Sequence, residues 1–130
     1  MKLLVAIAAA LFVLAAAPDG TRAAELVMFE EPGCTWCARW NAEIGGAYAK
    51  TEEGRQAPLR RVSLDAPRPA DLAKVQAVSF SPTFVVMDGG REYGRIVGYP
   101  GEDFFWPMLR GILATLPGET QGTSLSLRMP

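Results

Sequence analysis

Two cysteines with two residues between them, inside "FEEPGCTWCARW" (29–40), constrain this chain more than any other feature. The run that leads into them, "ELVMFEE" (25–31), is apolar and rich in strand formers, and Pro32-Gly33 signals a turn. Beyond them Trp36, Cys37, Trp40 and Ile44 recur at helical spacing. The pair is therefore predicted to lie where a buried strand gives way to a short helix, which Gly45-Gly46 is expected to break or kink. A cysteine in such a place faces the positive end of the helix dipole and several unpaired N–H groups, and both favour thiolate over thiol. In that setting Cys34 is the nucleophile, and Cys37, one turn further in, resolves a mixed disulfide formed at Cys34.

Three chemistries compete for such a pair. A purely structural clip would close only two intervening residues, and the entropic gain of a crosslink grows with loop length. A metal site would need more soft or imidazole ligands than the two cysteines and the scattered Met28, Met87, Met108 and Met129, which leaves two-coordinate copper(I) as the metal reading. Redox exchange is the third, and placement at a helix start favours it even though exported cysteine pairs are usually structural.

The export reading comes from the amino end. Residues 3–17, "LLVAIAAALFVLAAA", carry no charge, are short for a membrane span and fit the apolar part of a secretory signal. The small residues Thr21 and Ala23 suit cleavage after Ala23, so residues 1–23 are expected to be a signal peptide; an uncleaved anchor helix is the alternative. Cleavage removes Lys2, Asp19 and Arg22 and leaves 11 basic against 13 acidic residues, with no basic run to meet phosphate, so nucleic acid is set aside. The chain has no histidine, which excludes haem attachment through CxxCH, Cys-His proteolysis and most zinc chemistry.

At 130 residues and 49% hydrophobic composition the chain is sized for one domain, expected over 24–116. Residues 47–59 read as helix remnant and connection, 60–65 as a strand with one buried face, stopped by "APRP". A helix is predicted over 70–78 from Leu72, Val75 and Val78, then a hairpin of 83–87 and 91–99 around "DGG". A closing helix over 101–116 is expected to pack through Phe104, Phe105, Met108, Ile112 and Leu116, with Pro107 in its first turn. Residues 117–130 read as a loosely held tail. This order makes a small mixed-sheet α/β domain.

Pro82, in "FSPTF" (80–84), falls directly before a strand, where it needs a strand start or a special turn; a cis Ser81–Pro82 bond is one solution and an ordinary trans edge proline another. The order CxxC at a helix start, X-Pro-Thr before a hairpin and Gly98 at the hairpin's end resembles the thioredoxin superfamily over 25–116. The resemblance implies a thioredoxin-like fold, a central mixed four-stranded sheet flanked by helices, with a cis proline beside the reactive pair. It also implies that Ser81 offers backbone groups to an extended partner segment, with Pro82 as a substrate-facing wall. Within the superfamily, residues 28–65 are most similar to the small exported proteins encoded with bacterial sulfur-oxidation systems, which resemble thiol reductants of a sulfur-carrier protein.

That resemblance implies a periplasmic, monomeric thiol:disulfide oxidoreductase acting on protein thiols and disulfides, with no diffusible cofactor and with electrons from a membrane-embedded thiol donor. Direction stays open, because members of the family span roughly −270 to −120 mV, so a disulfide oxidant or isomerase is the alternative within enzymes. A non-catalytic copper(I)- or partner-binding module is the alternative outside them. This chain also departs from thioredoxins proper. Thr35-Trp36 stand where those have Gly-Pro, Gly33 stands where they have Trp, and Met28 takes the place of their buried carboxylate. Glu30 or Glu31 either substitutes for that acid or is a solvated strand end. Trp36 either shapes a docking surface or packs along its helix, Trp40 is assigned to the core, and Arg60 and Arg61 to a strand end or to assisting a thiolate. No charged cluster flanks Pro82 to hold the carboxylates of glutathione.

Overall fold

Four consecutive residues of the first strand, Leu26, Val27, Met28 and Phe29, are all buried, which only a strand covered on both faces allows. In the computed structural model, which describes residues 23–118, that strand is β1 (Glu25–Glu30) at the centre of a four-stranded sheet. It pairs in parallel with β2 (Leu59–Ser63) and antiparallel with β3 (Thr83–Asp88), and β3 pairs antiparallel with β4 (Arg91–Val97). The order is β2-β1-β3-β4. Because alternate side chains leave opposite faces of a strand, Leu26 and Met28 enter the larger core with Phe84 and Val86, while Val27 and Phe29 enter a smaller one with Val85 and Met87.

The larger core is roofed by helices. α1 (Thr35–Trp40) begins at Cys34 and continues through a π-turn (Asn41–Gly45) into α2 (Gly46–Tyr48), so the expected break at Gly45-Gly46 is a widened turn instead. α3 (Glu52–Gln56) is a separate short helix capped by Thr51, whose Oγ1 accepts from the Gly54 N–H at 3.0 Å and donates to the Tyr48 carbonyl at 2.7 Å. Tyr48, fully buried, donates its hydroxyl to the Ala57 carbonyl at 2.7 Å, and burial pushes its ionisation above the ordinary tyrosine range.

α4 (Glu102–Leu113) corrects the expected packing stripe by one position. Phe105, Leu109 and Leu113 are buried, with Leu116 beyond the helix end, whereas Phe104 and Met108 are 66% and 45% exposed and Ile112 lies at the margin. Two apolar rows one residue apart competed, and the ring of Phe105, which meets Trp40, Phe84, Tyr99 and Trp106 at 5.0–6.0 Å between centroids, decides between them. Pro107 is the sixth residue of this helix, past the first turn in which it was expected.

The helix expected over 70–78 is a single 3₁₀ turn, Ala70–Leu72. Leu72 and Val75 are buried as that helix would have buried them, but the carbonyls here are met by side chains rather than by the next helical turn. Arg68 donates to the Val75 and Gln76 carbonyls at 2.6 and 3.4 Å, and Arg95 to the Ala77 carbonyl at 3.0 Å. The proposed signal peptide and the tail fall almost wholly outside the described residues.

Candidate redox site

The chain leaves β1 at Glu30, turns through Gly33 at a φ of 76°, which suits glycine, and starts α1 with Cys34 in an extended conformation. Cys34 is itself the cap of that helix, since its Sγ accepts the Cys37 backbone N–H at 3.1 Å. Cys34 and Cys37 are joined as a disulfide with their Cα atoms 5.2 Å apart. The two sulfurs are not equivalent: Cys34 is partly exposed, and Cys37 keeps 4% of its surface, packed in the same core as Met28 and Trp40. An incoming thiolate or disulfide can reach Cys34, while Cys37 is accessible only to Cys34.

The Ser81–Pro82 peptide bond is cis, and Ser81 comes against the pair through its side chain. Its Oγ lies 3.3 Å from Cys37 Sγ and 2.9 Å from the Glu31 N–H, which it accepts. A disulfide sulfur carries no proton, so the hydroxyl donates to sulfur while the Glu31 amide holds it in place. No local pattern in the sequence reports this hydroxyl contact; the family resemblance gives a part to the Ser81 backbone alone. Pro82 itself is buried and its carbonyl accepts the N–H of Gly98, which has a φ of 78°, at 2.7 Å. The hairpin's end is thus tied to the proline loop.

The remaining candidates separate. Trp36 is 52% exposed beside the disulfide, with the Arg39 guanidinium of its own helix over its ring, whereas Trp40 is fully buried. Arg61 pairs with Glu30 at 2.9 Å, donates to Asn41 and lies 3.7 Å from Met28 Sδ; Arg60 pairs with Glu25 and Asp71 at 3.1 and 2.5 Å. Both arginines and Glu30 therefore belong to ion-paired strand ends. No Asp or Glu is buried among the described residues, so no buried carboxylate serves Cys37, and the hydroxyl of Ser81 is the polar side-chain group in contact with it. Among the described residues no group of three or more Cys, Asp or Glu is placed to hold a metal.

Removing the Ser81 hydroxyl deprives Cys37 of its donor when the disulfide opens and Cys37 must leave as a thiolate. A hydrogen bond to a charged group contributes about 1.5–3 kcal/mol. Ser81→Ala is expected to slow opening of the disulfide by a dithiol about tenfold or more in stopped-flow measurements while the protein stays folded; an unchanged rate would remove this role.

A mixed sheet, a buried and an accessible cysteine at a helix start, and a proline loop against the buried one define a thiol-disulfide oxidoreductase of thioredoxin fold. Comparison with solved structures places it more closely. The periplasmic thioredoxin SoxS from Paracoccus pantotrophus, in its reduced form, matches with 53% identity and a TM-score of 0.67, over 70% of this chain and 96% of that one. The chain belongs to the SoxS family of thioredoxins. Thioredoxins from Thermus thermophilus (24% identity, 68% of this chain and 72% of that one, TM-score 0.54) and Malassezia sympodialis (20%, 73% and 79%, TM-score 0.53) share the fold. No protein-family model matches the chain, and no curated protein does.

Proposed function

We propose that this protein is an exported reductant that keeps a cysteine of a sulfur-carrier protein in its thiol form. What supports the reading most is the 53% identity with a periplasmic thioredoxin over nearly all of that protein's length. The protein works in the periplasm after loss of residues 1–23, with 24–116 as the working domain and 117–130 as a tail. It acts as a monomer without a diffusible cofactor.

The chemistry runs through two exchanges. The Cys34 thiolate attacks one sulfur of the partner's disulfide, forming a mixed disulfide and expelling the other partner sulfur as a thiolate. Cys37, as its thiolate, then attacks Cys34 Sγ, closing the internal disulfide and expelling the partner's remaining sulfur. Two electrons have passed to the partner, and a dithiol donor at the membrane reverses the internal oxidation. Ser81 holds the Cys37 sulfur through its hydroxyl and pairs its backbone with the partner's extended segment. Pro82 fixes that loop, and the exposed indole of Trp36 contacts the partner beside Cys34.

The test has two arms. With Cys37→Ser the second exchange cannot occur, so mixed disulfides accumulate on Cys34 in the periplasm; recovery of a sulfur-carrier protein supports the reading, and recovery only of unrelated secreted proteins overturns it. Equilibration with a thiol buffer should give a potential close to that of thioredoxin, about −270 mV. A value near −120 mV would make the protein an oxidant.

A further inference from the structure

Trp36 is a large exposed indole, and its position beside the disulfide depends on what fixes it. The Arg39 guanidinium lies over the Trp36 ring, 5.6 Å from its centroid. Arg39 donates through Nε to Glu43 Oε1 at 2.8 Å, one turn along, and the other oxygen of the same carboxylate accepts the Tyr99 hydroxyl at 2.5 Å. Tyr99 lies 56 residues from Glu43 in the chain and is buried, keeping 6% of its surface. It sits between Gly98, whose N–H is bonded to the Pro82 carbonyl, and Pro100. The contacts thus run without a gap from the indole, through Arg39, Glu43 and Tyr99, to the loop that carries Ser81.

An exposed arginine paired with one glutamate on a helix surface contributes little order, because both side chains give up rotamer freedom in water. Here the carboxylate is shared with a buried tyrosine just past β4, whose neighbour Gly98 is bonded to the Pro82 carbonyl. The hydrogen bond from Arg39, and then that from Tyr99, hold the Glu43 carboxyl below its ordinary range.

We infer that Arg39, Glu43 and Tyr99 form a positioning chain that fixes the Trp36 indole relative to the Ser81–Pro82 loop, and so selects protein over small-molecule disulfides. It rests on the reading of Trp36 as a partner-contacting side chain. A small disulfide needs only access to Cys34; a protein segment must meet the indole and the proline loop at once, so their relative placement enters its KM.

The experiment is a double-mutant cycle in two substrates, insulin and 5,5′-dithiobis(2-nitrobenzoate). Tyr99→Phe and Glu43→Gln are each expected to raise KM for insulin about three- to tenfold with kcat little changed, and to leave turnover of the small disulfide within about twofold. In a Trp36→Ala background neither should add to the loss. If Trp36→Ala raises KM for insulin but Tyr99→Phe does not, or adds to it in full, the positioning chain is overturned and the role of Trp36 stands. If Trp36→Ala leaves KM unchanged, both fall. A fall in small-disulfide turnover equal to that for insulin would mark a general structural effect and overturn the inference.

Discussion

Replacing Cys34 by serine is expected to lower disulfide turnover by about 10³-fold or more, measured as insulin reduction coupled to a dithiol. The reason lies in the asymmetry of the pair. Cys34 is the partly exposed sulfur, and Cys37 keeps only 4% of its surface, so no second nucleophile is available to an incoming disulfide. A serine hydroxyl stays protonated at neutral pH and forms no bond to sulfur that thiols can exchange. The result differs in kind for Cys37→Ser, which, reduced beforehand and mixed with the partner without added dithiol, should release one equivalent of partner thiol in a burst and then stop as the mixed disulfide. Residual turnover by Cys34→Ser within tenfold of the unaltered protein would mean that Cys37 is reached directly, against the burial described here.

Gly54→Ala is expected to destabilise the fold by about 3 kcal/mol or more, near the upper range for single substitutions. A Cβ at this position would lie 1.8 Å from the Tyr48 carbonyl oxygen and 2.7 Å from its carbon, and both are backbone atoms that no side-chain rotation can move aside. Relief requires α3 to lift off the end of α2. That movement breaks the bonds that the Thr51 hydroxyl and backbone N–H donate to the Tyr48 carbonyl. Against a total stability of about 5–15 kcal/mol, such a loss should shift the urea midpoint by a large fraction of its value. Gly46→Ala is the matched control, since nothing lies within 4 Å of a Cβ there and the backbone is already helical. It should be neutral or gain up to about 1 kcal/mol. A Gly54→Ala protein within 1 kcal/mol of the parent would contradict the packing of α3.

Much of the reactive end was legible because its signals are local. An apolar run, a Pro-Gly turn, cysteines at helical spacing with Trp40 and Ile44, and a glycine-rich hairpin turn each state a backbone geometry within a few residues. Where elements are chosen by distant partners, the sequence was ambiguous. "DLAKVQAV" has a helical apolar row, yet Arg68 and Arg95 take the carbonyls of Val75, Gln76 and Ala77 and the helix stops at a 3₁₀ turn ending at Leu72. In α4 the rows of Phe104 and Phe105 are both apolar, and the rings waiting in the core select the second. The Ser81 hydroxyl and the Glu43–Tyr99 bond span 44 and 56 residues of sequence, and no spacing rule reports such pairs.

The stretch between β2 and β3 has one consequence for how the molecule comes apart. Chain held by arginine side chains, without a ladder of mutually supporting helical bonds, can let go piece by piece, and this stretch ends at the residue that supports the buried sulfur. Warming or mild denaturant should therefore silence the enzyme while its sheet is still intact. In hydrogen exchange, the amides of 73–81 should trade with solvent well before those of β1 and β3, and loss of activity should follow the earlier event.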